Sequence, residues 1–499
     1  MRCVDWETEF RKGKLGLSGL LLQISDLGVT VNLLHDIVRS EYGDDPTRLL
    51  GIIYEVEERY MHQSGTREVC QALREAAFEP IGSILVDFLL RGDISGDVFG
   101  EFFVTRSNDN FVLVERRQVP PSLSHMTENI VSAGTSACLL ARMGVDVMGL
   151  LPEIVEEMRV KPVKLLDSFF CTVAVREARS TLNSQLLAEV NRGDSLKNEI
   201  ALFKRYFFIS ESDWYLELLF LVLPELEKPV KTVNRVRVNE AIKTVSKGKV
   251  LAHLHKFPLE AMRDKNESED LSMLTVRALT VSRKPGFPLN VIFTESVMFK
   301  FQCVFRHIFF CKYIETKLGE LWSEFHSLHS LEANESLLAC HFLLQRMLHF
   351  VKNYLIHLSV DVIESKDWES VLRAKSVFQV EEELETKLTS VIEEMGITSS
   401  SLYKSVNKVF STCGLFSAHM TRFVHILLSQ SEDRLEQAML IENASREDKY
   451  LTLISKFQDA YDGQANSVMV QLKKQEGKAH NSLMARLDFN QYFSHSMGI

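Results

Sequence analysis

Proline and glycine are scarce in this chain, with 11 prolines and 23 glycines in 499 residues. Proline removes a backbone donor and glycine carries an entropic cost, so both interrupt regular structure. Their shortage excludes a turn-dense β architecture and favours long helices. Long apolar runs are missing too. The longest, Trp214 to Leu223, contains Glu217 and ends at Pro224, and it is too short to span a bilayer. The opening residues carry Asp5, Glu7 and Glu9 where an export signal needs an apolar core. No two cysteines have C-x-x-C spacing. Cys3, Cys70, Cys138, Cys171, Cys303, Cys311, Cys340 and Cys413 mostly lie in or beside apolar runs, which reads as buried free thiols of a reducing compartment. A basic excess is also lacking. The 57 Lys and Arg against 67 Asp and Glu give a formal charge of −10, which argues against the basic footprint of nonspecific nucleic-acid binding. The expected setting is the cytoplasm, without membrane insertion.

Signatures of catalysis are absent as well. There is no phosphate-cradling G-x-x-x-x-G-K-[ST] or G-x-G-x-x-G, no G-x-S-x-G and no H-E-x-x-H. His326 and His329 are three apart, but no third ligand follows, so they read as a solvated polar face. His253 and His255 would share one side of a strand with no acid close by to orient either ring. Arg91-Gly92-Asp93 spells an extracellular adhesion tripeptide, which needs an exported loop. The N-x-[ST] sequons at Asn266, Asn334 and Asn443 are equally idle in a cytosolic chain. The acidic runs at Glu153, Glu156 and Glu157 and at Glu381 to Glu385 read as solvated helix faces. The chain is therefore read as no enzyme, with no catalytic residue, cofactor or metal ligand.

What remains is a long helical chain rich in phenylalanine. Its hydrophobic fraction is 45%, and 31 Phe stand against 11 Tyr and 4 Trp, which suits a large helical core or extensive interfaces. Leu344, Met347, Val351, Tyr354 and Leu358 step by three and four, a stripe down one helix face. Phe301, Val304, Phe305, Ile308, Leu318, Leu321 and Trp322 mark a second long helix. Ile84 to Leu90 and Leu139 to Leu151 read as further core helices, and Ser431 to Ile454 as a charged amphipathic one. Strand signals are few: a small β-hairpin near residues 99–116, around Asn108-Asp109-Asn110, and an extended piece at Leu274 to Ser282. No heptad array or fixed-period repeat is evident. Asn191-Arg192-Gly193-Asp194 divides two helical blocks, and Arg263 to Asp270 reads as a charged loop. The fold class is all-α.

One segment carries more. From Phe88 to Val104 an apolar helix end stops at Arg91-Gly92, an acidic turn follows with Asp93, Gly96 and Asp97, and then comes Glu101-Phe102-Phe103. Downstream lie Leu202 to Phe208 with Lys204, Tyr206 and Phe207, then Pro288-Leu289 to Thr294 leading towards Trp322. Arg346-Met347 to Tyr354 follows, with Val360 to Glu364 and Trp368, and last Arg486-Leu487-Asp488-Phe489 to Phe493. In this order the five segments resemble the gamma-tubulin complex component family, component 2 somewhat more than component 3 or 4. The chain departs from the family pattern in having no His-aromatic pair beyond Trp368 and no Trp before Gly92.

The resemblance implies an elongated, curved stack of helical bundles in two halves. Residues 1–194 would make lateral contacts with neighbouring components, and residues 195–499 would bind gamma-tubulin. It implies a role in microtubule nucleation at a microtubule-organising centre or spindle pole, with gamma-tubulin, other components, a pole receptor and, indirectly, α/β-tubulin as partners. Gly92, Asp93, Asp97, Glu101, Phe102 and Phe103 would then form the lateral-assembly motif. The helix faces opposite the apolar stripes, with Gln302, Arg306, Tyr313 and Lys317 on one helix and Lys352 and Asn353 on the other, would meet gamma-tubulin. A generic helical scaffold without tubulin binding is the alternative.

Overall fold

The computed structural model describes residues 2–14, 16–40, 46–60, 66–98, 100, 102–107, 110–114, 119–151, 162–254, 274–327, 335–429, 448–475 and 477–489. Phe99, Glu101, His255, His329, the loop 263–270, the acids at 153–157, the three sequons and most of Ser431 to Ile454 lie outside these residues. The described chain is overwhelmingly helical, with two two-stranded antiparallel sheets. It divides into two compact units, Met1–Arg192 and Gly193–Ile499.

The first unit starts with α1 (Arg2–Arg11), α2 (Leu17–Arg39), α3 (Pro46–Tyr60) and α4 (Thr66–Arg91). Leu33, Ile37, Ile53, Val56 and Cys70 form one buried cluster that ties α2, α3 and α4 together. The hairpin follows as β1 (Val104–Ser107) and β2 (Asn110–Leu113), with Val104 opposite Leu113 and Ser107 opposite Asn110. Then come α5 (Thr127–Arg142), a short α6 (Val147–Leu150) and α7 (Ser168–Val190). The stretch Leu139 to Leu151 is therefore not one helix. It ends at Arg142, and Asp146 caps the separate turn by accepting the Met148 N–H at 3.1 Å. The α4, α5 and α7 faces share a core of Phe78, Leu85, Phe88, Ile130, Ala137 and Leu182, all buried.

The second unit runs α8 (Ser195–Phe207), α9 (Asp213–Leu226), α10 (Arg235–Val245), β3 (Leu251–Leu254), α11 (Thr275–Ala278), β4 (Leu279–Ser282), α12 (Glu295–Ser327) and α13 (Glu335–Ile356). A π-helical turn, His357–Glu364, continues α13. Then follow α14 (Val377–Glu394), α15 (Ser400–Ser429), α16 (Asp448–Lys473) and α17 (Lys478–Leu487). The expected extended piece at Leu274 to Ser282 is half helical: only Leu279–Ser282 is a strand, and it pairs with Leu251–Leu254.

The axis of this unit is α12, packed against α8, α11, β4, α13, α14 and α15. Phe203 of α8 stacks on Phe293 at 4.5 Å and on Phe301 at 4.7 Å between ring centroids. Phe305 stacks on Phe309 at 5.3 Å. Stacked aromatic pairs add about 0.5–1.5 kcal/mol each beyond their burial. His307 is buried among them, with Nε2 2.7 Å from the Tyr354 hydroxyl, and burial pushes its imidazole down to about 4.

Candidate functional site

The acidic glycine turn after α4 is built from its own side chains. Gly92, at φ 62°, ends the helix, and its N–H bonds to the Phe88 carbonyl at 2.9 Å. A Cβ there would sit 2.3 Å from the backbone nitrogen of Cys138 on α5, so only glycine lets the two helices meet. Gly134 of α5 is equally tight against the Phe88 ring, at 2.2 Å from a would-be Cβ. Asp93 accepts the Ser95 N–H at 2.9 Å and its hydroxyl at 2.7 Å, and these bonds hold the carboxyl below the usual range. Asp97 accepts the Phe102 N–H at 3.0 Å and so places the aromatic pair. Phe102 and Phe103 are fully buried. Phe88 meets Phe102 edge-on at 5.8 Å and Phe111 at 4.9 Å. The two phenylalanines therefore offer no surface to a neighbouring chain. What the motif leaves outside is the turn from Asp93 to Val98, where Val98 is 80% exposed. Glu101 lies outside the described residues.

The face expected to oppose the stripe on α12 is not free. Arg306 and Tyr313 are buried, Gln302 and Lys317 half-buried. Burial lowers the Arg306 pKa and raises that of Tyr313, whose hydroxyl donates to Glu227 at 3.4 Å. Lys317 is paired with Glu227 at 3.0 Å and Glu320 at 3.5 Å. The reason is the number of neighbours: six elements pack against this helix and between them cover its middle turns, where Arg306 and Tyr313 lie. His326 stacks on Trp322 at 5.3 Å, and among the described residues no group of three His, Cys, Asp or Glu has metal-binding geometry.

Lys352 and Asn353, in contrast, each line a surface groove. Asn353 borders one of about 380 Å³ together with Arg486 and Phe489. Lys352 borders a larger one of about 1020 Å³. The α12–α13 pair forms its floor with Ile308, Lys312, Leu355 and Ile356. One wall is the end of α8, from Lys204 through Phe208 to Ser210, and the other is the segment from Ile363 to Glu369 with Trp368. Phe208 and Trp368 meet at 5.1 Å, and the Trp368 indole N–H donates to the Ile363 carbonyl at 2.9 Å. Ile209 adopts φ 50°, which costs a β-branched residue about 1–3 kcal/mol. That conformation delivers its carbonyl to the Lys312 ammonium at 3.2 Å.

The end of the described chain is clasped to the π-helical turn. Asp361 accepts Arg486 Nε at 2.7 Å and Nη2 at 2.8 Å, and the Ser482 hydroxyl at 2.7 Å. His357 Nδ1 lies 3.1 Å from the same carboxylate. The Arg486 bonds drive the Asp361 carboxyl far below its ordinary value. Segments distant in sequence thus meet in pairs: Phe203 with Phe293 and Phe301, Phe208 with Trp368, and Asp361 with Arg486.

The fold and these surfaces define an all-α chain in two helical units, with grooves on the second. It belongs to the gamma-tubulin complex component family: the model described as gamma tubulin complex component N-terminal matches residues 1–189, and the C-terminal one residues 196–493. The chain is 23% identical over 470 residues to mouse gamma-tubulin complex component 2, covering 85% of this chain and 51% of that protein. It is 19% identical to gamma-tubulin complex component 2 of Arabidopsis thaliana, over 83% of this chain and 66% of the relative. With spindle pole body component alp4 of Schizosaccharomyces pombe it shares 20% identity over 72% of this chain and 54% of that protein. The chain spans about half the length of the mouse and fission-yeast relatives and about two-thirds of the Arabidopsis one.

Proposed function

We propose that this chain is a structural component of a gamma-tubulin complex that nucleates microtubules at a spindle pole or other microtubule-organising centre. Its second unit binds gamma-tubulin and its first packs beside neighbouring components. The observation that carries this reading is the paired family match, N-terminal over 1–189 and C-terminal over 196–493, in the family's order. Physically, such a protein accelerates assembly by holding gamma-tubulins side by side, which removes part of the translational and rotational cost of forming a nucleus. Lateral contacts raise the effective concentration of the next subunit. On the first unit, the exposed turn from Asp93 to Val98 is the lateral surface this reading favours, with Phe102 and Phe103 holding it from beneath. On the second, the solvent-facing Lys352 replaces the enclosed Arg306 and Tyr313 as the leading contact. The test is co-elution of the purified full chain with gamma-tubulin, alone and with a second family component. A small stoichiometric complex is expected. A chain that stays apart from gamma-tubulin in both mixtures would leave only a helical scaffold without tubulin binding.

A further inference from the structure

The α9–α10 pair departs from the acidic balance of the chain. Between Lys228 and Lys249 the sequence has seven Lys and Arg and one carboxylate, Glu240. Elsewhere 50 Lys and Arg (57 less seven) face 66 Asp and Glu (67 less one). The two helices lie side by side, α10 running back along α9. Its start is tied to the end of α9 by Glu225, a buried carboxylate that accepts the Asn234 N–H at 3.0 Å and pairs with Lys228 at 2.7 Å and Arg237 at 3.8 Å. Beyond its last turn, the Ser246 carbonyl accepts the Tyr206 hydroxyl at 3.5 Å, and the Tyr206 ring meets Trp214, at the start of α9, at 5.3 Å. Glu225 thus satisfies two of the seven cations. Lys231, Arg235, Lys243, Lys247 and Lys249 are exposed, and none has an ion pair or a side-chain hydrogen bond among the described residues. On the same two helices Asp213 is paired with Arg205 at 3.0 Å, which leaves Glu217 and Glu240 as the open carboxylates against these five cations.

The fold accounts for only part of this charge. Lys243 and Lys247 lie at the C-terminal end of α10, where cations complement the helix dipole. Lys231 and Arg235 lie at its N-terminal end, where the same dipole disfavours them. Asn234 already caps that end by accepting the Arg237 N–H at 3.1 Å. Beside the cations, α9 turns Leu216, Phe220 and Pro224 to solvent at steps of four, with Phe220 86% exposed. A row of exposed apolar groups next to unpaired cations supplies both an anchor and a charge filter for a partner. We infer that this face of the α9–α10 pair is the docking surface for an acidic polypeptide segment. Its carboxylates lie against Arg235, Lys243 and Lys247, and an apolar side chain rests on Phe220. With 11 residues, α10 is about 16 Å long, the span of about five extended residues. A segment of that size sees only the local charge, because screening confines surface fields to about 8 Å at physiological salt. A nucleic acid or a lipid plane reaches past the patch to the acidic remainder of the chain. The inference does not depend on gamma-tubulin binding.

The test uses the full chain and fluorescence anisotropy with a labelled Glu-Glu-Phe-Glu-Glu-Phe-Glu-Glu peptide, beside a control with lysine for glutamate. The acidic peptide alone is expected to bind, more weakly at about 300 mM than at about 50 mM salt. The double variant Lys243→Glu, Lys247→Glu should weaken it at least tenfold, the double arginine variant should keep it, and Phe220→Ser should weaken it about threefold. Arg235→Gln separates docking from folding: peptide binding falls about threefold while the urea midpoint stays level or rises. No binding by the wild-type chain, equal binding of both peptides, or affinity within about twofold in the double glutamate variant overturns the inference. So does a lowered urea midpoint in Arg235→Gln with binding unchanged. Sedimentation with phosphatidylserine vesicles and anisotropy with a labelled thymidine oligonucleotide complete the test. Neither probe is expected to bind, and binding of either that is lost in the double glutamate variant overturns the polypeptide assignment.

Discussion

At the scale of single residues, Gly92 and His307 each tie a stability effect to one position. Gly92 combines a positive φ of 62° with a would-be Cβ 2.3 Å from the α5 backbone. Gly92→Ala should destabilise the first unit by about 3 kcal/mol, read as a shifted urea midpoint. His307 is a buried neutral base whose imidazole is held at about 4, and burial lowers His357 as well. Between pH 6.5 and 4 the unfolded chain binds protons that the folded chain refuses, so stability is full above 6.5 and falls as pH drops through this window. His307 alone should remove about 2 kcal/mol between pH 7 and 5, and His307→Gln should flatten that slope in urea titrations. The apolar stripes were legible at this scale, since Phe301, Phe305, Met347, Phe350 and Tyr354 are all buried, but Trp322 at the far end of the α12 stripe is 39% exposed. The other side of α12 was not legible. A step of about 100° per residue assigns opposite faces to a helix, but it does not tell how many neighbours that helix will have. Hence Arg306 and Tyr313 are enclosed while Lys352 is open.

At the scale of elements, the helix stop at Gly92 and the hairpin beyond it follow from turn chemistry that local sequence declares. The second sheet was legible only in its pieces, the extended stretch ending at Ser282 and a strand around His253; that Leu251–Leu254 pairs with Leu279–Ser282 is set by tertiary packing. The π-helical turn is hidden for a similar reason: nothing in His357–Glu364 announces it, and its use emerges only when Asp361 meets Arg486. That clasp is testable. Arg486→Ala should leave most of the unit intact and cost about 1–2 kcal/mol locally, since the guanidinium is partly solvated. Hydrogen exchange in Lys478–Leu487 should speed up about tenfold, with little change in α12.

At the scale of the molecule, five motifs in family order located the family match from sequence, while the large groove stayed invisible. Its lysines stand at 204, 312 and 352, on three elements that only tertiary packing brings together. The first unit supplies the complementary test. Phe102 is fully buried against Phe88 and Phe103, so Phe102→Asp places an unpaired carboxylate in that core. A loss of more than about 4 kcal/mol is expected there, with lateral assembly abolished and gamma-tubulin binding retained by the second unit. Limited proteolysis and co-elution of the same sample read both outcomes, and simultaneous loss of tubulin binding would contradict the proposed division of labour between the units.

The sulfur atoms add a built-in clock. Cys70 and Cys171 are buried in the first unit, and Cys303, Cys311, Cys340 and Cys413 in the second. Burial raises the Cys171 and Cys303 thiols to about 11 and Cys340 to about 12. At neutral pH a thiol with a pKa of 11 is thiolate in only about one molecule in ten thousand. Each is therefore chemically silent until the helices around it part. Pulsed alkylation followed by peptide mapping would stamp the moment at which each unit opens, using reporters the chain already contains.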